Sequence, residues 1–198
     1  MDTEAYQKKE KRLYLTFDVG YENGNVEKIL DILKEEKVTG AFFVLSNFIL
    51  KNQDLLKRMI NEGHLVCNHT KNHKNMCTLT DEEMTANLMA LEEQYYEATG
   101  ENMSKFFRFP EGHYNERTLA VAEKMGYKSV FWSLSYADWD NNGRYNPDKI
   151  IERLSSNTHN GAILLFHPTS SINLTVLPEM IKIWKADGYT FGSLTDIK

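Results

Sequence analysis

The feature that most constrains this chain is an alternation. Short apolar runs recur along it, and nearly every one is followed by a stretch with helical spacing. "RLYLTF" (12–17), "GAFFVL" (40–45), "HLVCN" (64–68), "KFFRF" (105–109), "SVFWSL" (129–134), "GAILLFH" (161–167) and "YTFGSL" (189–194) read as strands. Between the first two, 25–37 carries apolar residues at 26, 29, 30, 32 and 33, the stripe of an amphipathic helix. Further helices are expected over 52–63, 81–99, 115–126, 146–156 and 177–188. Gly63 and Gly100 stand at helix ends, Thr80 with Glu83 forms a capping box, and Pro147 suits a first helical turn. About seven strands, each but the last followed by a helix, imply a parallel sheet covered by helices. Eight such units usually need about 250 residues. A chain of 198 residues therefore points to an α/β fold of the distorted, incomplete (β/α) barrel kind. A doubly wound open sheet is the alternative. No repeat or Pro/Gly-rich linker divides the chain, so one domain is expected.

Composition removes several function classes. Lys plus Arg is 23 against 28 for Asp plus Glu, a net charge of −5. A nucleic-acid binder would need a basic surface to neutralise phosphates, so no nucleic-acid partner is expected. No apolar run approaches the roughly 20 residues of a membrane-spanning helix. The opening "MDTEAYQKKEKR" is polar and lacks the apolar centre of a signal peptide. Two cysteines are too few for a disulfide framework. Cys67 lies in an apolar run and is expected in the core; Cys77 has no assigned role.

Polar residues with chemical capacity follow the strands. Asp18 comes after the first, His69 and His73 after the third, and Arg108 and Glu111 after the fourth. Asp138 and Asp140 lie past the fifth, and His167 ends the sixth. In parallel α/β sheets the C-terminal ends of the strands form the face where sites are built. Groups scattered over the chain therefore converge at one rim. Two histidines at i and i+4 on a helical turn point the same way and can grip a metal ion, although two surface histidines at a helix start read equally well. His167 is a capped core residue or an acid/base near neutral pH. Asp18 is a turn aspartate or a base, and Arg108 a partner for a nearby carboxylate. Trp132 is expected in the core, whereas Trp139, with Tyr114 and Tyr136, suits an aromatic groove for sugar rings. A glycosidase would need two flanking carboxylates, and that reading leaves the histidines without a purpose.

Five segments then carry a resemblance: "TFDVG", "NHTKNH", "RFPEG", "DW" and "LLFH", in that order. Together they resemble the five motifs of the polysaccharide deacetylases over about residues 13–197. The resemblance implies a catalytic domain over 13–198, with 1–12 as an N-terminal extension. It implies Asp18 as general base, His167 as general acid, Arg108 orienting the base and Asp138 orienting His167. His69 and His73 match two of three ligands of a divalent metal, with zinc the expected ion. Val19 stands where the usual third ligand, a carboxylate, would be. Tyr21, Glu111, Gly112, Trp139 and Leu165 are expected to contact substrate. "TFDVGYENGN" is similar to the branch that deacetylates N-acetylmuramic acid, on the route to the muramic lactam of spore cortex. The implied partner is the peptidoglycan glycan strand, which places the activity outside the cytoplasm, in cell wall or spore envelope. Two other readings stay open: a glycan-binding homologue weakened in catalysis, and an amidohydrolase of a small amide.

Overall fold

The structure is a computed structural model that describes residues 11–140, 143 and 145–197. Most of the expected extension, residues 1–10, lies outside the described residues, as does Lys198. Among the described residues the strands are β1 (Arg12–Val19), β2 (Ala41–Val44), β3 (Leu65–Asn68), β4 (Ser104–Phe107), β5 (Lys128–Ser129), β6 (Leu134–Ser135), β7 (Ile163–Phe166) and β8 (Thr190–Phe191). The helices are α1 (Val26–Glu35), α2 (Ser46–Lys51), α3 (Gln53–Asn61), α4 (Asp81–Thr99), α5 (Glu116–Lys124), α6 (Pro147–Asn157) and α7 (Asn173–Ala186). Every strand pairing is parallel, in the order β5-β4-β3-β2-β1-β7-β6, with β8 alongside the start of β1.

The local rules explain several helix ends. Thr80 caps α4 reciprocally with Glu83, and Gly100 closes it in the left-handed conformation. Asn115 caps α5 in the same reciprocal way with Thr118. Two features depart from the sequence reading. A six-residue helix, α2, follows β2. The last helix also begins at Asn173, four residues before the expected start, with Pro178 inside it. The 3-10-type bonds of residues 173–175 tighten its entry.

The expected strand 129–134 is the larger correction. It divides into β5 and β6, which lie at opposite ends of the sheet path with no helix between them. Laid flat, those ends would stand about 29 Å apart at about 4.8 Å per strand spacing. The connecting chain from Ser129 to Leu134 reaches at most about 18 Å. The sheet must therefore curl until its two edges face each other, and this requirement produces the incomplete barrel. The crossing is tied down at both ends, by Val130 N–H to the Phe107 carbonyl (2.8 Å) and Ser133 N–H to the Ile163 carbonyl (2.9 Å).

Strand alternation sorts β1 into two roles. Leu13, Leu15, Phe17 and Val19 pack in the main core, among residues of α1 and α7 such as Leu30 and Ile181. Tyr14 belongs to the smaller cluster inside the curl, with Ala41, Phe43, Cys67 and Val130. Thr16 and Asp18 continue the Tyr14 face upward. Cys67 is buried as expected, and burial pushes its thiol up to about 12, so it packs as an inert core residue.

Candidate active site

The convergence at strand ends begins with Arg108. It follows β4 directly and is fully buried. Its Nη1 donates to Asp18 Oδ1 at 2.8 Å, Nη2 to Thr16 Oγ1 at 2.9 Å, and Nε to the Val130 carbonyl at 3.2 Å. The guanidinium also lies 4.2 Å from the centre of the Phe43 ring. A buried cation needs this degree of pairing. Thr16 thereby acts as a neutral spacer below Asp18, on the same face two residues away. Burial would raise the Asp18 carboxyl, but the Arg108 charge, helped by the neighbouring His69 and His167 imidazoles, outweighs it and holds the group below its ordinary 3.8.

His69 follows β3 and is buried. Its Nδ1 lies 2.9 Å from the Arg108 carbonyl. A carbonyl only accepts, so Nδ1 carries the proton and Nε2 presents a lone pair. That Nε2 stands 3.5 Å from Asp18 Oδ2. Burial lowers the imidazole below 6.5 despite the opposing pull of Asp18. The rings of His69 and His73 approach to 5.0 Å between centres, at 73°. The helical turn expected over 69–73 is absent. The segment is a loop in which Thr70 (φ 77°) and His73 (φ 56°) take left-handed conformations. Side-chain bonds hold it: Thr70 N–H donates to Asn68 Oδ1 (2.8 Å) and His73 N–H to Thr70 Oγ1 (2.9 Å). Asn68 is itself anchored by its amide to the Tyr127 hydroxyl and the Leu88 carbonyl. The i, i+4 spacing thus brings the rings together through an Asx-type turn, not through helical periodicity.

On the other wall, His167 follows β7. Its Nδ1 and its backbone N–H both bond to the Asp138 carboxylate, each at 2.7 Å. Asp138 is fully buried. Burial pulls the His167 imidazole down, but the hydrogen bond and charge of Asp138, with Asp18 beyond, raise it above 6.5. Asp18 and His167 both line one cavity of about 520 Å³, with His73, Glu111, Trp132, Trp139 and Leu165.

Not every expected residue lies in that wall. Gly112 (φ 70°) sits behind it, where a Cβ would come within 2.9 Å of the Trp132 ring. Glu111 is held in a left-handed conformation (φ 56°, ψ 11°) by the Pro110–Gly112 turn. Tyr21 is exposed and outside the cavity lining, and Tyr114 is likewise exposed beside Phe131. Tyr136 is buried and hydrogen-bonded to Asn173, so it belongs to the core and not to an aromatic groove. Trp132 goes the other way. Its place in the crossing between β5 and β6 puts it in the cavity wall and not in the core. A larger groove of about 770 Å³, lined by α1 and α3 residues with Thr39 and His64, lies at the other ends of the strands and contains none of these groups.

Val19 is fully buried in the main core, on the strand face opposite Asp18. Among the described residues no set of three or more His, Cys, Asp or Glu side chains is gathered as a metal centre. No described helix is long and apolar enough to cross a membrane.

Comparison with known proteins agrees with this fold. The polysaccharide deacetylase family matches residues 5–130. The peptidoglycan-N-acetylmuramic acid deacetylase PdaA of Bacillus subtilis is 39% identical over 189 residues, covering 96% of this chain and 72% of that protein. The structure of Bacillus subtilis PdaA, a family 4 carbohydrate esterase, superposes with a TM-score of 0.90 at 38% identity, over 96% of this chain and 81% of that one. A pseudoenzyme of the same esterase family from Bacillus anthracis superposes with a TM-score of 0.86 at 29% identity, over 96% of this chain and 66% of that one. The chain belongs to the polysaccharide deacetylase family, a class of amide-hydrolysing enzymes.

Proposed function

We propose that this chain removes the N-acetyl group from amino sugars of peptidoglycan, with N-acetylmuramic acid as the sugar and the muramic lactam as the eventual product. One observation carries the reading. A carboxylate backed by a buried arginine and an imidazole backed by a buried aspartate line a single cavity. These are the base and the acid that amide hydrolysis needs. Similarity to the Bacillus subtilis N-acetylmuramic acid deacetylase supports the choice of sugar.

Asp18, kept ionised by Arg108, takes the proton of the attacking water. The Pro110–Gly112 turn uses the Gly112 and His113 N–H groups internally, so the Glu111 N–H is the donor we assign to the developing oxyanion. His167, protonated and oriented by Asp138, gives its proton to the leaving amine. Trp132, Trp139 and Leu165 supply apolar surface for the sugar and its acetyl methyl, and Gly112 leaves room for Trp132. Tyr21 offers a further contact outside the cavity.

The donor set fits a divalent ion held by two histidines. The lone pair of His69 Nε2 and the Asp18 Oδ2 oxygen face each other at 3.5 Å, an arrangement that favours a cation beside them. Imidazole donors suit zinc. Bound there, the ion would polarise the amide carbonyl and acidify the water. Val19 contributes no donor, so an ion held by the two histidines would draw its remaining ligands from water and substrate and would exchange readily. Chelator is expected to abolish acetate release and added zinc to restore it, with well under one equivalent of metal retained after dialysis. Full activity in chelator would remove the metal from the reading.

The test of the function itself is mass spectrometry of peptidoglycan, with and without stem peptides, after incubation with enzyme and metal. Loss of acetyl from muramic acid alone is the expected result; loss only from glucosamine overturns the choice of sugar. A second reading, glycan binding without turnover, draws on the buried Val19 and on the likeness to a pseudoenzyme. Binding with no acetate released at any zinc concentration would select it.

The pH profile follows from the two shifts. Activity needs Asp18 ionised and His167 protonated. The first carboxyl is lowered, so the acid limb falls below pH 3.8; the second imidazole is raised, so the alkaline limb falls above pH 6.5. The same shifts stabilise the fold. The Asp18 contribution is present above its unfolded pKa and is lost as pH falls through the folded value. The His167 contribution is present below its unfolded pKa and is lost as pH rises through the folded value. Initial rates of acetate release from pH 3 to 10 check the profile.

A further inference from the structure

The acid side of the cavity has a supporting residue that no motif supplies. Asn173 opens α7 and is fully buried. Its Nδ2 lies 2.7 Å from Asp138 Oδ2 and 2.9 Å from the His167 carbonyl. Both neighbours are acceptors, so the amide NH₂ group must face them. Its Oδ1 then receives the Tyr136 hydroxyl, which is also buried. Asp138 Oδ2 in turn accepts from the His167 backbone N–H, which leaves Oδ1 for the imidazole Nδ1–H. Every hydrogen bond in this cluster has one donor and one acceptor, and any rotation of the amide breaks two of them.

We propose that Asn173, locked by Tyr136, is a positioning residue for the acid of this reaction. It clamps the carboxylate that follows β6 to the loop that follows β7. It thereby fixes the orientation of the His167 ring and aims Nε2 into the cavity. The logic is that of an acid/base histidine oriented by a third group, extended by one residue and sensitive to its loss. The groups that face His167 are Asp138, Asp18 and Arg108, together with the Trp139 ring at 6.0 Å. Asn173 is the neutral member that contacts both the imidazole's own backbone and its orienting carboxylate. The inference rests on the deacetylase reading, because it assigns a task to the acid of that reaction.

Its test uses the full chain with zinc added. Asn173→Ala is expected to lower kcat at least ten-fold with KM within two-fold of wild type. Asn173→Asp keeps the shape and the acceptor for Tyr136 but puts an oxygen against two acceptors. It is expected to lower kcat similarly and, through the added negative charge, to move the alkaline limb to higher pH. Tyr136→Phe leaves the buried Asn173 Oδ1 without its donor and is expected to lower kcat two- to five-fold. NMR gives a readout independent of turnover. The His167 Nδ1–H proton, bonded to a carboxylate, should appear far downfield in wild type and shift or vanish in Asn173→Ala. Should Asn173→Ala not fold, Asn173→Asp and Tyr136→Phe carry the test. An unchanged kcat and an unchanged downfield proton in the folded variants overturn the proposal. If His167→Ala also keeps full activity, the failure lies in the acid assignment itself.

Discussion

Asp18→Asn is expected to cut acetate release by about 10²–10⁴-fold, the usual contribution of a positioned general base. The amide is isosteric and its oxygen can still accept from Arg108 Nη1, now 2.8 Å from the carboxylate. The fold should therefore survive, with an unchanged circular dichroism spectrum and a lower melting temperature, because the buried guanidinium loses its counter-charge. Substrate contacts on the opposite wall are untouched, so KM should change little while kcat collapses. Turnover within ten-fold of wild type would show that another group takes the water's proton.

Arg108→Met carries the largest stability effect. The guanidinium is fully buried and satisfies Asp18, Thr16 and the Val130 carbonyl at once. Removing one partner of a buried pair leaves the other charge uncompensated, at a cost of about 3–5 kcal/mol. Urea denaturation at pH 7 would register this as a lower midpoint. The Asp18 carboxyl, relieved of its strongest stabilising charge and still buried, should rise, so the acid limb of any remaining activity moves to higher pH. The double variant Asp18→Asn, Arg108→Met should recover part of the lost stability, since no buried charge is then orphaned. A double variant less stable than the sum of both single losses would contradict the pairing.

Much of the site was legible because chemistry and folding periodicity coincide in a parallel sheet. Asp18, His69, Arg108 and His167 each terminate an apolar run, and parallel strands bring such termini to one rim. What escaped the sequence depends on distant parts of the chain. "SVFWSL" has the apolar, β-rich composition of a strand, and nothing within it says that it must step between two sheet edges. Trp132 was expected in the core for that reason. Asn173 is unremarkable in sequence, a polar residue near a helix start, and Tyr136, an aromatic near "DW", reads in sequence as part of a groove. Only the adjacency of β6 and β7 joins them to Asp138. The turn over 69–73 depends on side-chain bonds from Asn68 and Thr70, which spacing alone does not distinguish from a helical repeat.

The pairing of β1 with β7 bears on synthesis. Residues 14–17 are matched with 163–166, so β1 is synthesised well before β7 can cover its second edge. During that interval a long apolar strand stays open to pairing with other molecules. The proposed base and the proposed acid belong to the two halves of this late join. A chain that stops before β7 has neither the cover for this edge nor the proposed acid, so closure of the sheet and assembly of the proposed catalytic pair arrive together.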